Sequence, residues 1–235
     1  ALHDSRKRKF VLARDHLGIK PLFYALGKDH LIFGSEPKVV LASGLVPRSL
    51  DLDALVQFLS WEYVPGQATL FGSIRKLKPA HLMEIDLGGH GGEPSIRTEA
   101  YWDLPAPPRN DSTTAAMWEE RLDAEIRRCV RRQLVSDVPL GAFLSGGVDS
   151  SLVVAAMDDA RTFSIGFDDP SYSELKWAQR VADHLGLDHK FELIESNVVD
   201  LFDHLMQFMD DPIGDFSIFP TYLVSRHARQ FVKVA

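Results

Sequence analysis

Residues 141–157, GAFLSGGVDSSLVVAAM, place two adjacent glycines, an acid and three serines at the junction of two apolar stretches. The approach, Val138 to Leu144, is a short apolar run without helical period, the pattern of a strand covered on both faces in a parallel sheet. Beyond the cluster, Leu152, Val153, Ala156 and Met157 recur at about helical spacing, so the cluster falls where a strand hands over to a helix. Such a loop turns backbone N–H groups outward, with the positive end of the helix dipole behind them, and favours an anion. Gly146 and Gly147 remove Cβ atoms that would hold a phosphate oxygen off the backbone, and Ser145, Ser150 and Ser151 add hydroxyl donors. Asp149 would repel a polyphosphate unless a cation lay between them; magnesium suits, being held by one or two carboxylates together with phosphate oxygens. Neither G-x-x-x-x-G-K-[ST] nor G-x-G-x-x-G occurs in the stretch. The competing reading is a plain strand-to-helix turn whose serines and aspartate cap the helix.

From about Ser112 helical and strand-like segments alternate around this loop. A helix from near Thr114 to Val135 is followed by the strand at 138–144, the loop and a helix to about Asp159. A strand at Arg161–Phe167, a helix from Ser173 to Leu185 and a strand at His189–Ile194 come next. Helices near Asn197–Met209 and Phe219–Gln230 and an apolar tail, Phe231 to Ala235, complete the run. This alternation predicts a parallel, doubly wound α/β sheet, whose ligands bind beyond the carboxyl ends of the strands, where the loop falls.

The first hundred residues are β-rich, then mixed. Lys9–Ala13, Pro21–Ala25 and His30–Phe33 are short strand-like runs broken by Gly18 and the Gly27-Lys28-Asp29 turn. Asp51–Leu59 reads as a helix capped by Asp51, and Ala80–Leu87 as a further strand. The glycine pairs at 88–92 read as a loop without a phosphate signal, and the rigid, polar stretch from Pro105 to Asp111 as a linker.

A chain of 235 residues, 45% hydrophobic, buries a sizeable core in one large or two modest domains. Its 26 basic residues are dispersed and its net charge is −7, so no basic stripe marks nucleic acid as a partner. Arg6-Lys7-Arg8-Lys9 reads as a solvated turn between strands. The single cysteine, Cys129, cannot form an internal disulfide and suits a reducing compartment; at an apolar helix position with Leu122, Ile126 and Val130 it is expected to be buried. No apolar run reaches membrane-spanning length, and the expected location is cytoplasmic. His16, His81, His184 and His189 share no metal-ligand spacing with cysteines or acids.

The string S-G-G-V-D-S-S after a buried strand resembles the pyrophosphate loop of the ATP-pyrophosphatase, or PP-loop, enzymes, which split ATP between its α and β phosphates. "ARDHLGIKPLFYA" (13–25) and "FGSEPKVVLA" (33–42) resemble the second half of a class II, N-terminal-nucleophile glutaminase domain. "YVPGQATLFGSIRKLKPAHLMEI" (63–85), "YWDLP" (101–105) and "TFSIGFDDPSYSELKWAQRVADHLGLDH" (162–189) resemble segments of glutamine-dependent asparagine synthetases, in family order. The resemblance implies a C-terminal part of the glutaminase domain over 1–104, a linker over 105–112 and an N-terminal part of the PP-loop domain over 113–235. It implies ATP and Mg²⁺ as cofactors, glutamine or ammonia and aspartate as substrates, and a carboxylate activated as its adenylate before amidation. Ser145, Gly146, Gly147 and Ser150 would then hold the pyrophosphate, Asp149 the metal, and the main chain at Leu144 and Ile165 the nucleotide. No catalytic residue is assigned, and a homodimer is left open. Arg14 and Asp15 read as a structural pair bracing the glutaminase fold.

Two features depart from that family. The glutaminase chemistry needs an N-terminal cysteine, whereas this sequence starts Ala1-Leu2-His3-Asp4, so it is expected to be an internal piece without glutaminase activity of its own. In "DDPIGDFSIFPTYL" (210–223), Asp211, Asp215 and Ser217 stand where asparagine synthetases carry a threonine and an arginine, Phe216 falling near the arginine. An acidic pocket suits aspartate poorly, so the expected alternatives are another carboxylate acceptor, in cell-envelope or natural-product biosynthesis, or a non-catalytic nucleotide-binding scaffold. Helix capping or metal binding is the competing role for these acids.

Overall fold

The computed structural model describes residues 1–87, 95–107, 112–157, 159–169, 171, 173–194 and 198–235. The glycine pairs at 88–92, residues 108–111 of the expected linker and the start of the helix expected from Asn197 lie outside the described residues. The architecture is mixed α/β and divides into two compact units, Ala1–Pro107 with His204–Asp215, and Pro108–Asp203 with Phe216–Ala235.

In the first unit, β1 (Leu2–Asp4), β2 (Lys9–Ala13), β3 (Phe23–Leu26) and β4 (Leu31–Gly34) are followed by α1 (Pro37–Ala42) and α2 (Leu52–Trp61). Then come β5 (Arg75–Lys76), β6 (His81–Asp86) and β7 (Ser95–Ala100). The strands form two antiparallel sheets, ordered β1-β2-β6-β7 and β4-β3-β5. Leu12, Met83 and Ile85 from the first sheet meet Tyr24 and Leu77 in one apolar core. The strand at 9–13 and the Asp51 cap are found as predicted: the Asp51 carboxylate accepts from Ala54 N at 3.0 Å. Arg6, Lys7 and Arg8 form the solvated β1–β2 turn, where Asp4 accepts from the Arg6 and Lys7 amides.

Arg14 and Asp15 are structural, through backbone groups. The Arg14 guanidinium donates to the carbonyls of Leu77 (2.7 Å), Gly18 (2.8 Å) and Lys20 (3.1 Å). Asp15 accepts from Ile19 N and Lys20 N, each at 2.9 Å, and these N–H donors, Lys20 foremost, hold its carboxyl below its ordinary range.

The second unit contains α3 (Ala115–Gln133), β8 (Ala142–Phe143), α4 (Val148–Ala155), β9 (Arg161–Phe167), α5 (Leu175–Leu185) and β10 (Asp188–Ile194). It ends with α7 (Ile218–Ala228); α6 (Val198–Met206) runs across the division between the units. The sheet is parallel, in the order β10-β9-β8. The strand expected at 138–144 is shorter, because its residues change partner: Pro139 to Gly141 bond the tail (Lys233 N to Pro139 O 3.0 Å, Gly141 N to Val234 O 2.9 Å), and only Ala142–Phe143 pair with β9.

Side chains alternate across β9. Phe163 packs with Ala228 and Val232 beneath α7, while Gly166, of opposite parity, meets Leu175 of α5. Leu144, Val154, Ala178 and Ala182 build a core on the α4–α5 side, so helices cover both faces of the sheet. Cys129, expected buried, is exposed and donates to Glu125 Oε1 at 3.4 Å. The reason lies in how α3 is seated: none of its residues is fully buried, and Val130, the next residue, is the one that packs against the core, which leaves Cys129 on the solvent side.

Candidate nucleotide site

The loop forms where the sequence places it, between β8 and α4. Gly147 is the N-cap of α4, in extended conformation (φ −70°, ψ 164°), and no side chain caps the helix. The first-turn N–H groups are therefore left for an outside acceptor, and the helix dipole adds to their pull on an anion. The hydroxyls brace the loop. Ser145 Oγ accepts from Gly147 N at 3.2 Å and lies 3.0 Å from Ser150 Oγ, which accepts from Ser145 N at 3.3 Å. Ser150 and Ser151 both donate to the Gly147 carbonyl, at 3.2 and 2.7 Å. Asp149 lies exposed in the first turn of α4 and, among the described residues, has no ion-pair partner.

The two glycines have different physical reasons. A Cβ on Gly147 would meet only Ser145 Oγ, at 3.3 Å, so that side of the loop is open to a ligand. A Cβ on Gly146 would stand 2.4 Å from the Trp177 carbonyl carbon and 2.5 Å from Ala178 N, and its φ is +81°. Gly146 is therefore required by the close approach of the α5 backbone, a packing reason that stands beside the expected access of phosphate to the main chain.

Leu144 is 2% exposed and built into the sheet: its N–H donates to Phe163 O at 2.9 Å and its carbonyl accepts from the Ser164 hydroxyl. Ile165 follows on β9, partly buried. Leu144, Ser145 and Ile165 line one cavity of about 160 Å³, together with Glu174 and Leu175 at the start of α5 and Pro220, Thr221 and Val224 of α7. Gly146 opens instead on a groove between α4 and α5 beside Trp177 and Arg180. Gly147, Asp149 and Ser150 stay at the helix start. Sequence reasoning missed Glu174 and Thr221 as cavity residues. Neither carries a local signature, although Glu174 precedes a helix and Thr221 lies in the 210–223 stretch already singled out.

That stretch is not an uncompensated acidic pocket. Within the first unit, Asp210 Oδ2 accepts from Lys38 N at 2.9 Å, its Oδ1 lies 3.3 Å from Lys38 Nζ, and Asp211 Oδ2 lies 3.0 Å from Lys76 Nζ. Asp215 and Ser217 are engaged as well, while Phe216 is 84% exposed.

Among the described residues no helix is long and apolar enough to cross a membrane. The family model for a glutamine amidotransferase domain matches residues 1–102, and that for asparagine synthase matches residues 121–235. The chain is 33% identical, over 99% of its length and 46% of the relative's, to a putative glutamine-hydrolysing asparagine synthetase 2 of Methanocaldococcus jannaschii. It is 31% identical to the glutamine-hydrolysing asparagine synthetase 1 of Bacillus subtilis, over 95% of this chain and 35% of that one. The amidase chry2 of Gibberella zeae is 29% identical over 92% of this chain and 34% of its own. The chain thus spans less than half the length of these curated relatives. With both family models matched in series and these relatives aligned along nearly the whole sequence, the chain belongs to the glutamine-hydrolysing asparagine synthetase family.

Proposed function

We propose that the chain supplies the ATP-binding part of an asparagine synthetase, in which a carboxylate, aspartate's, is activated as its adenylate and then amidated with ammonia drawn from glutamine. The observation that carries this reading is the uncapped start of α4 behind Gly147, set beside a cavity that Ser145 shares with Leu144 and Ile165. The family membership and the names of the relatives support ATP as the nucleotide and a ligase as the activity.

The α4 N–H groups and the hydroxyls of Ser145 and Ser150 would hold the β and γ phosphates, with Gly147 admitting them to the backbone. The cavity, walled by Leu144 and Ile165, would take the nucleoside end and present the α phosphorus to the acceptor. The aspartate β-carboxylate attacks that phosphorus and pyrophosphate departs; ammonia then attacks the acyl carbon, the added nitrogen gives up one proton to solvent, and AMP leaves with the electron pair of the acyl C–O bond. Asp149 fits a magnesium ion, since it offers an exposed carboxylate without an ion-pair partner beside an anion site. Magnesium held there would offset charge on the pyrophosphate.

Residues 1–104 would be the amidotransferase part and 113–235 the synthetase part, in a cytoplasmic enzyme. The Lys76 partner of Asp211 supports aspartate as the acceptor, because one of the acids that would have repelled it is already paired. The test is to incubate the natural full-length protein with Mg-ATP and ammonia and to measure pyrophosphate and AMP with and without aspartate. Release that depends on aspartate is expected, and release indifferent to aspartate in a protein that binds ATP would refute asparagine synthesis.

A further inference from the structure

His227 is a buried imidazole that this reaction scheme leaves unused. It is 7% exposed on α7, where an aliphatic residue would pack at less cost, and it stands edge-on to Phe163 and Phe231 at 6.0 and 5.6 Å. Its Nδ1 lies 3.1 Å from Glu192 Oε2, a contact of charges when the ring is protonated, and both that oxygen and His227 Nε2 are buried without a hydrogen-bond partner. Other titratable and charged groups on this side include Arg226, whose guanidinium lies 3.8 Å from Glu192 Oε1, Lys190, which sits over the Phe231 ring, and His189, close enough to His227 for their charges to interact. From β9 comes Phe163. A polar group placed there and incompletely satisfied calls for a role that packing alone does not give.

The geometry supplies one. Glu192 is paired in register with Ile165 on β9, and Ile165 walls the nucleotide cavity. On α7, Pro220, Val224 and His227 recur at i, i+4 and i+7, so one stripe carries the cavity wall at one end and the Glu192 contact at the other. We propose that His227 is a positioning residue: its contact with Glu192 holds α7 in the rotation that turns Pro220, Thr221 and Val224 toward Ser145 and Ile165. The inference rests on reading that cavity as the nucleotide site. His227 touches no ligand; it acts through α7.

The test is calorimetric titration of the natural full-length protein with Mg-ATP and, separately, with magnesium pyrophosphate. Pyrophosphate needs the loop alone, whereas ATP also needs the α7 wall. His227→Leu is expected to weaken Mg-ATP about tenfold and pyrophosphate less than about twofold, a split within the range of couplings carried by packed elements. His227→Asn, whose amide nitrogen stands close to the place of Nδ1, should bring ATP back to within about threefold of the parent. Glu192→Gln should repeat the selective loss seen with His227→Leu, and it carries the test if the leucine variant fails to fold. Equal weakening of both ligands, or of neither, overturns the positioning role. A folded full-length parent that binds neither ligand overturns instead the phosphate reading of the loop on which the role rests.

Discussion

Replacing Gly146 with alanine should destabilise the second unit without any ligand present. The new Cβ would lie 2.4 Å from the Trp177 carbonyl carbon, 2.5 Å from Ala178 N and 2.6 Å from Trp177 Cβ. Two of these atoms are backbone of α5, so no side-chain rotation relieves the clash and the helix itself must shift. A left-handed φ costs a residue with a Cβ about 1–2 kcal/mol, and overpacking adds ~1–3 kcal/mol. The sum, about 2–5 kcal/mol, is a large part of a domain's stability of roughly 5–15 kcal/mol. Gly147→Ala is the control: φ is −70° and the nearest atom is a hydroxyl that can turn away, at 3.3 Å. That change should cost no more than about 0.5 kcal/mol. The assay is denaturant unfolding of the parent and both variants near neutral pH, followed by tryptophan fluorescence. Equal stability of the two variants, or a loss below ~1 kcal/mol for Gly146→Ala, would refute the assignment of Gly146 to helix packing. In the same samples Gly147→Ala should weaken Mg-ATP binding despite its intact fold, because the added methyl stands on the side left open for phosphate.

Asp149→Asn should abolish magnesium-dependent pyrophosphate formation in the full-length enzyme while leaving the circular dichroism spectrum and unfolding midpoint unchanged; unchanged turnover removes Asp149 from the mechanism. Burial holds the His189 imidazole below its ordinary value of 6.5, against the pull of Asp183 and Asp188 and with His227 adding to the lowering. A depressed folded value means that the native state favours the neutral ring, so this stabilisation is complete above that ordinary value and is lost as pH falls below it and through the folded value. The unfolding midpoint should therefore drop as pH falls below the ordinary value of 6.5, and His189→Gln should reduce the drop; an equal drop in the variant places the effect elsewhere. Asp51→Ala removes the acceptor of the Ala54 amide at the start of α2 and should cost ~1 kcal/mol in the first unit, read by the same unfolding assay.

Local pattern made much of this protein legible. The Lys9–Ala13 strand, the Asp51 cap and the two parallel strands at Arg161–Phe167 and Asp188–Ile194 follow from apolar periodicity and capping chemistry acting over a few residues. The strand-loop-helix around Ser145 is local in the same sense. Other elements gave no such signal: β1, α1 and β7 are short or polar, and their existence depends on a neighbouring strand or core. Thr114 marks the start of α3 from sequence alone, whereas the exposure of Cys129 on that helix depends on which of its faces meets a core.

By itself the amino-acid order determined where the serine- and glycine-rich loop lies, which residues form it and that a helix opens behind it, because turn chemistry acts between neighbours in the chain. Only the tertiary structure decided what that loop rests on. Gly146 is glycine because α5, some thirty residues later, brings its backbone against the loop; Leu144, Ile165 and Thr221 share a cavity because strand order and helix docking join distant segments. Asp210 and Asp211 are acidic yet paired because Lys38 and Lys76, far back in the chain, fold beside them. Contacts made across such separations leave no periodicity or spacing in the sequence, since each partner satisfies its own local pattern and the match between them exists only once the chain has folded.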